Sequence, residues 1–156
     1  MLAVSVGVRT ICLTTNGDDM KEWLLVFETS IPDDTEKDDR DEIVTAGGEA
    51  VLEQLRQELE AKGFHTTQPR NYNSFAWEMD VRCENNACRI VVQTFQPWLL
   101  IAIGLGIFRS PKRKSQSLIQ LSKDLRKIMS TSDKFTILSH GERSDLIQKG
   151  YKIKVQ

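Results

Sequence analysis

Residues 75–103, FAWEMDVRCENNACRIVVQTFQPWLLIAI, constrain the fold more than any other stretch. Phe75, Trp77, Met79, Val81 and Cys83 alternate with Ala76, Glu78, Asp80 and Arg82, the period of two of a half-buried strand. Asn85-Asn86 supplies residues tolerant of positive φ, as a two-residue type I′ turn requires. With that pair as the loop, Glu84 faces Ala87, Cys83 faces Cys88, Val81 faces Ile90, Met79 faces Val92 and Trp77 faces Thr94. One face then stays apolar along both strands, and Glu78, Asp80, Arg82, Arg89 and Gln93 fall on the other. A slip of one residue would turn the apolar set into water. The same register sets Arg82 opposite Arg89, a like-charge pair that needs Asp80 on the diagonal. Pro97 ends the second strand, and Trp98 to Ile103 reads as a third, apolar on both faces and therefore central or covered.

The other segments read as layers on this meander. Leu2 to Leu13 has strand alternation, Asn16-Gly17 is a hairpin signal, and Glu22 to Glu28 is the return strand. Residues 1–19 keep a second reading, a translated leader ahead of a start at Met20. Residues 30–44 form an acidic mobile loop. Asp33, Asp34, Glu36, Asp38, Asp39, Asp41 and Glu42 outweigh Lys37 and Arg40 there, and only Ile31 in Ser30 to Glu42 suits a core. Thr45 is a candidate N-cap, with Gly47-Gly48 delaying the helix to Glu49. Val51, Leu52, Leu55 and Leu59 make its buried stripe and Gly63 its stop. Phe64 to Thr67 is a short strand, and Pro69 to Ser74 a loop. Arg109 to Lys114 (RSPKRK) is a basic loop, and Ser117 to Met129 a second helix with Leu118, Leu121, Leu125 and Ile128 inward. Phe135 to Leu138 is a strand, Arg143 to Lys149 a short helix, and Tyr151 to Val155 an edge strand guarded by lysines. The expected fold is α+β: one domain, a single antiparallel sheet, and two main helices packed on one face.

Composition narrows the function classes. With 156 residues and a formal net charge of −1, the chain has no overall electrostatic case for nucleic acid or a membrane surface. No run reaches the roughly 18 apolar residues of a spanning helix, and MLAVSVGVRT lacks a basic n-region. Three cysteines in no scaffold spacing point to a reducing cytoplasm.

The chemistry-bearing residues are few. Cys83 and Cys88, facing each other, are a candidate redox pair, set against two reduced cysteines acting as small apolar side chains. A zinc site is worse supported, because it needs four ligands and only Cys12, His65 and His140 remain to complete it. His65 and His140 lack a nucleophile or metal motif around them. Gly104 and Gly106 miss the third glycine and the terminal G-K-[ST] of a phosphate cradle. Arg109, Lys112, Arg113 and Lys114 form a candidate anion-binding set, for phosphates or for a membrane surface with Trp98, Ile107 and Phe108 dipping in. Asp33, Asp34, Glu36, Asp38 and Asp39, with Glu78, Asp80, Arg82 and Arg89 on the meander's polar face, form a candidate partner-binding set. No motif implies a cofactor, and the open hairpin edge and terminal strand leave room for a homodimer.

The run Phe75–Val81 (FAWEMDV), Trp98–Ile101 (WLLI), a basic loop, a helix and Asp133–Gly150 (DKFTILSHGERSDLIQKG) resembles small single-domain bacterial proteins. Among these are immunity proteins that neutralise contact-delivered toxins, and the element order is similar to secretion-chaperone-like α+β domains. The resemblance is one of pattern over roughly residues 45–150 and transfers no functional residue. It implies a protein that binds another protein and does no chemistry of its own. Phosphate, nucleic-acid or membrane-surface binding through residues 109–114 is the second expectation, and a small enzyme using His140 or a cysteine the third.

Overall fold

The computed structural model describes residues 20–72, 75–84, 86–94, 97–106 and 110–153. Among these residues nine strands and three helices follow one another: β1 (Glu22–Thr29), β2 (Glu36–Lys37), β3 (Ile43–Thr45), α1 (Glu49–Ala61), β4 (His65–Thr66), β5 (Arg70–Tyr72), β6 (Ala76–Cys83), β7 (Asn86–Gln93), β8 (Trp98–Gly104), α2 (Pro111–Thr131), β9 (Phe135–Gly141) and α3 (Arg143–Gln148). The main sheet is antiparallel throughout, in the order β4-β6-β7-β8-β1-β9, with β5 beside β4 along β6. β2 and β3 make a small separate sheet. The protein is thus α+β, built on one main sheet.

Both long helices lie on one face of that sheet. Val51, Leu52, Leu55 and Leu59 of α1, and Leu118, Leu121, Leu125, Ile128 and Met129 of α2, join Leu25, Phe27, Met79, Ile90, Val92 and Leu100 in one core. The far face is divided. Its β5–β7 part is charged, whereas Leu24, Val26 and Leu99 form a second cluster with Leu146 of α3, joined by Tyr151 and Ile153. β1 is therefore buried on both faces, which its unbroken run Trp23-Leu24-Leu25-Val26-Phe27 requires.

The meander forms with its apolar parity intact and its register displaced by two residues. Cys83 pairs with Asn86, Val81 with Cys88, Met79 with Ile90 and Trp77 with Val92. Glu84, at φ 53°, takes the left-handed turn position that the sequence assigns to an asparagine. A two-residue slip leaves every side chain on its face, so parity does not choose between the registers. Charge does. The observed register sets Arg89 opposite Asp80 and Arg82 opposite Ala87, replacing the expected arginine pair with a cross-strand ion pair. It also removes the direct opposition of Cys83 and Cys88: Cys88, buried, faces Val81 instead.

Four other expectations change. β1 is paired on both edges, by β8 and by β9, so it is not the outer arm of a hairpin; Leu2 to Leu13 and Asn16-Gly17 lie outside the described residues. Residues 70–72 form a strand where a loop was expected. Tyr151 to Ile153 is not a strand and packs across the second cluster, and residues 154–156 lie outside the described set. The basic segment is the first turn of α2, started by Ser110, whose Oγ accepts from the Arg113 N–H at 3.3 Å, with Pro111 at the first helical position. Small buried side chains, Ser115, Ser117 and Ser122, let α2 lie close to the sheet. A Cβ on Gly104 would come within 3.2 Å of the Lys114 backbone, so β8 must end in glycine there.

The acidic segment carries more structure than a loop. Asp34 accepts from the backbone N–H of Gly48 at 2.7 Å and of Ala50 at 2.9 Å, satisfying the amino-terminal donors of α1 in place of Thr45, which lies in β3. Gly48, at φ 134°, is the N-cap residue and offers no side chain of its own. Thr35 Oγ1 accepts from Gly47 N–H, and Asp33 accepts from the Thr35 N–H and hydroxyl. Asp34→Ala is therefore expected to lower the unfolding free energy by about 1–2 kcal/mol in urea titration. Asp39→Ala should change it by less than about 0.5 kcal/mol; equal losses would contradict the capping role.

Candidate functional site

One end of the sheet gathers most of the candidate partner-binding residues. β1, β7 and α2 finish there, while β6, β8 and β9 begin. The β2–β3 hairpin is fastened to it: Trp77 Nε1 donates to the Ala46 carbonyl at 2.7 Å, and Thr94 Oγ1 to the Gly47 carbonyl at 2.9 Å. Of the acids at the hairpin, Asp33 accepts from Thr35 and Asp34 caps α1. Asp38 accepts from the Arg40 and Glu42 N–H groups, shaping the turn in which Asp41 has φ 63°. Asp41 also takes Lys37 in an exposed ion pair. Glu36 and Asp39 are exposed. The same end presents apolar side chains to solvent: Ile43 at 60% exposure, Val44 at 53%, Tyr72 at 44% and Phe75 at 77%. Sequence reading picked out the acids and missed these four, because Phe75 fits the alternation of β6 and Tyr72 lay in the expected loop.

The meander's polar face is a compensated network. Arg70 Nε donates to Glu78 at 2.8 Å, and its Nη2 lies 3.4 Å from Asp80. Arg89 Nε donates to Asp80 at 2.8 Å and lies 3.8 Å from Glu78. Glu78 is buried beneath the arginines. Burial raises the Asp80 carboxyl, but the hydrogen bond and charge of Arg89, then of Arg70, outweigh it and hold Asp80 below the usual carboxylate range. Glu78, Asp80 and Arg89 are thus engaged with one another, through an Arg70 that the sequence placed in a loop. Arg82 is exposed at the other end of β6.

The opposite end holds the candidate anion-binding residues. Lys112 and Arg113 are exposed, Lys114 is half-buried against Gly104, and Arg109 lies outside the described residues. The membrane variant loses its aromatic anchor. Trp98 is buried, stacks on Phe27 with centroids 6.2 Å apart, and belongs to the acidic end of the sheet. Ile107 and Phe108 lie outside the described residues.

His140 sits half-buried on β9, its ring centroid 5.9 Å from that of Trp23. Arg126 Nη1 is 3.3 Å from its Nε2. Burial first, then the charges of Arg126 and Lys149, push His140 below its ordinary 6.5. The charged groups that act on His140 are thus two cations, whereas a general base is oriented by a carboxylate. His65 is exposed on β4. Among the described residues no three His, Cys, Asp or Glu side chains are placed to hold a metal ion. No helix among them is long and apolar enough to cross a membrane. Comparison of the chain with family models, curated proteins and solved structures finds no match.

The pKa directions fix a pH dependence. Above 6.5 His140 is neutral in both folded and unfolded chains and has no effect. Below it the unfolded chain binds the proton first, so stability falls as pH drops from 6.5 toward the depressed folded value. Asp80 acts at lower pH, its stabilisation being lost below its ordinary 3.8. His140→Gln should abolish the upper step and leave the lower one. Urea titrations between about pH 2 and 7 span both steps, histidine being the side chain that titrates in the upper one; an unchanged upper step would assign it elsewhere.

Proposed function

We propose that this chain is a non-catalytic protein-binding module that docks a basic protein surface with the end of the sheet carrying the β2–β3 hairpin. The observation that carries the reading is the set of exposed apolar side chains, Ile43, Val44, Tyr72 and Phe75, beside a hairpin whose carboxylates exceed its cations. Aromatic and aliphatic groups at the centre of a contact supply affinity, while charges around them steer encounter and select the partner. The hairpin is pinned by Asp34, Trp77 and Thr94, so little ordering is required when a partner arrives. Glu36, Asp38 and Asp39 form the charged margin of this surface. Glu78, Asp80 and Arg89 stiffen the neighbouring face.

The finer reading is a cytoplasmic immunity protein of a bacterium whose partner is a toxin. A basic partner surface suits an enzyme that acts on nucleic acid, since its substrate cleft must itself be cationic. The enzyme reading through His140 is disfavoured by the Arg126 and Lys149 charges beside it.

The test is affinity capture from the native host, followed by titration of the purified partner against wild type and the Val44→Ser/Phe75→Ser variant. The variant should bind at least about ten-fold more weakly and unfold at the same temperature, because both side chains are exposed. Raised salt should slow association. A partner that binds both forms equally, or capture of no protein at all, would overturn the proposal.

A further inference from the structure

We propose that the cleft at the other end of the sheet binds a small molecule carrying a phosphate group. The inference is independent of the protein-binding surface, which lies at the far end of the strands.

The cleft, open to solvent on one side, has a volume of about 760 Å³ between the start of β1, the end of β8 and the first turns of α2 and α3. That volume is in the range of pockets that hold small molecules, roughly 300–1,000 Å³. Met20, Ile103 and Pro111 give it apolar walls, and its charged lining is Lys21, Lys114, Arg143, Glu22 and Glu142.

Internal pairing decides the sign of what is left. Glu22 takes Arg143 in a two-pronged ion pair, at 2.6 Å to Nε and 3.1 Å to Nη2. The Glu142 carboxylate accepts from the backbone N–H of Asp145 in the capping box of α3. Lys21 and Lys114 have no carboxylate partner among the described residues. With Glu22 matched by Arg143, two lysine charges remain in the cleft against the one Glu142 carboxylate, so the balance is positive, and the lysines come from two different parts of the chain. Lys114 is held in place, its backbone packed on Gly104 and its N–H bonded to the Ser110 carbonyl at 3.1 Å.

Lys112, Arg113 and Lys114 also occupy the first turn of a 21-residue helix that has no acid there. Cations at that position oppose the helix dipole, a cost an anionic ligand removes. Two lysine side chains lining one cleft suit a phosphate. The concave shape favours a small molecule over a polymer, and the burial of Trp98 at the far end disfavours a lipid surface.

The full chain is titrated by calorimetry with inorganic pyrophosphate and with phenyl phosphate, an ester whose ring suits the apolar wall. Saturable one-to-one binding of at least one probe is expected, with amide chemical shifts moving at Lys21, Gly104 and Lys114. Tighter binding of phenyl phosphate would identify an organic phosphate as the ligand, and tighter binding of pyrophosphate a free one. Lys21→Gln/Lys114→Gln should weaken binding ten-fold or more. Lys123→Gln/Lys127→Gln, which removes the same charge from exposed positions of α2, should leave it within two-fold. Equal losses in both variants, or saturable binding of neither probe, would overturn the proposal. Binding restricted to anionic vesicles or single-stranded RNA would overturn it too.

Discussion

The fold depends on burying β1 on both faces and along both edges. Its side chains alternate between two apolar environments: Leu25 and Phe27 under the helices, Leu24 and Val26 under α3 and Tyr151. Its backbone is shared between β8 and β9. A strand so placed needs a cover on the second face as well as the first. That requirement explains why the chain continues beyond α2 into β9, α3 and residues 151–153. Removing a buried leucine from such a strand costs about 2–5 kcal/mol, so the elements that close over it are coupled to the whole.

The same constraint shows how far the sequence could be read. The stripe of α1, the apolar parity of β6 and β7, and the buried run of β8 were legible because periodicity reports burial directly. The register of β6 against β7 was not, since two registers two residues apart share the same faces. It turns on which residues form the turn and on placing Asp80 across from Arg89. The partners of β1 were not legible either. Asn16-Gly17 is a local hairpin signal, whereas β8 and β9 are far along the chain. The start of α2 was hidden because its first sheet-facing residues are serines, small enough for close approach and too polar to mark a stripe.

Of the candidate surfaces, the sequence supplied the acids and the fold supplied their context. Asp34 acts within the molecule as a helix cap, and Asp80 and Glu78 are matched by arginines. Exposed apolar groups beside Glu36 and Asp39 are what distinguish the hairpin end from a merely solvated loop. The chain's small net charge conceals an uneven distribution, with the hairpin's acids at one end of the strands and, at the other, Lys21 and Lys114 with no carboxylate partner among the described residues. Two surfaces of opposite sign, about a strand length apart, can engage different partners without competing.

Amide hydrogen exchange on the chain, alone and bound to its captured partner, tests the protein-binding reading most directly. The account predicts slowed exchange at residues 36–45 and 70–76, with residues 111–114 unchanged. Slowing confined to residues 111–114 and the start of β1, with the hairpin end unaffected, would contradict it.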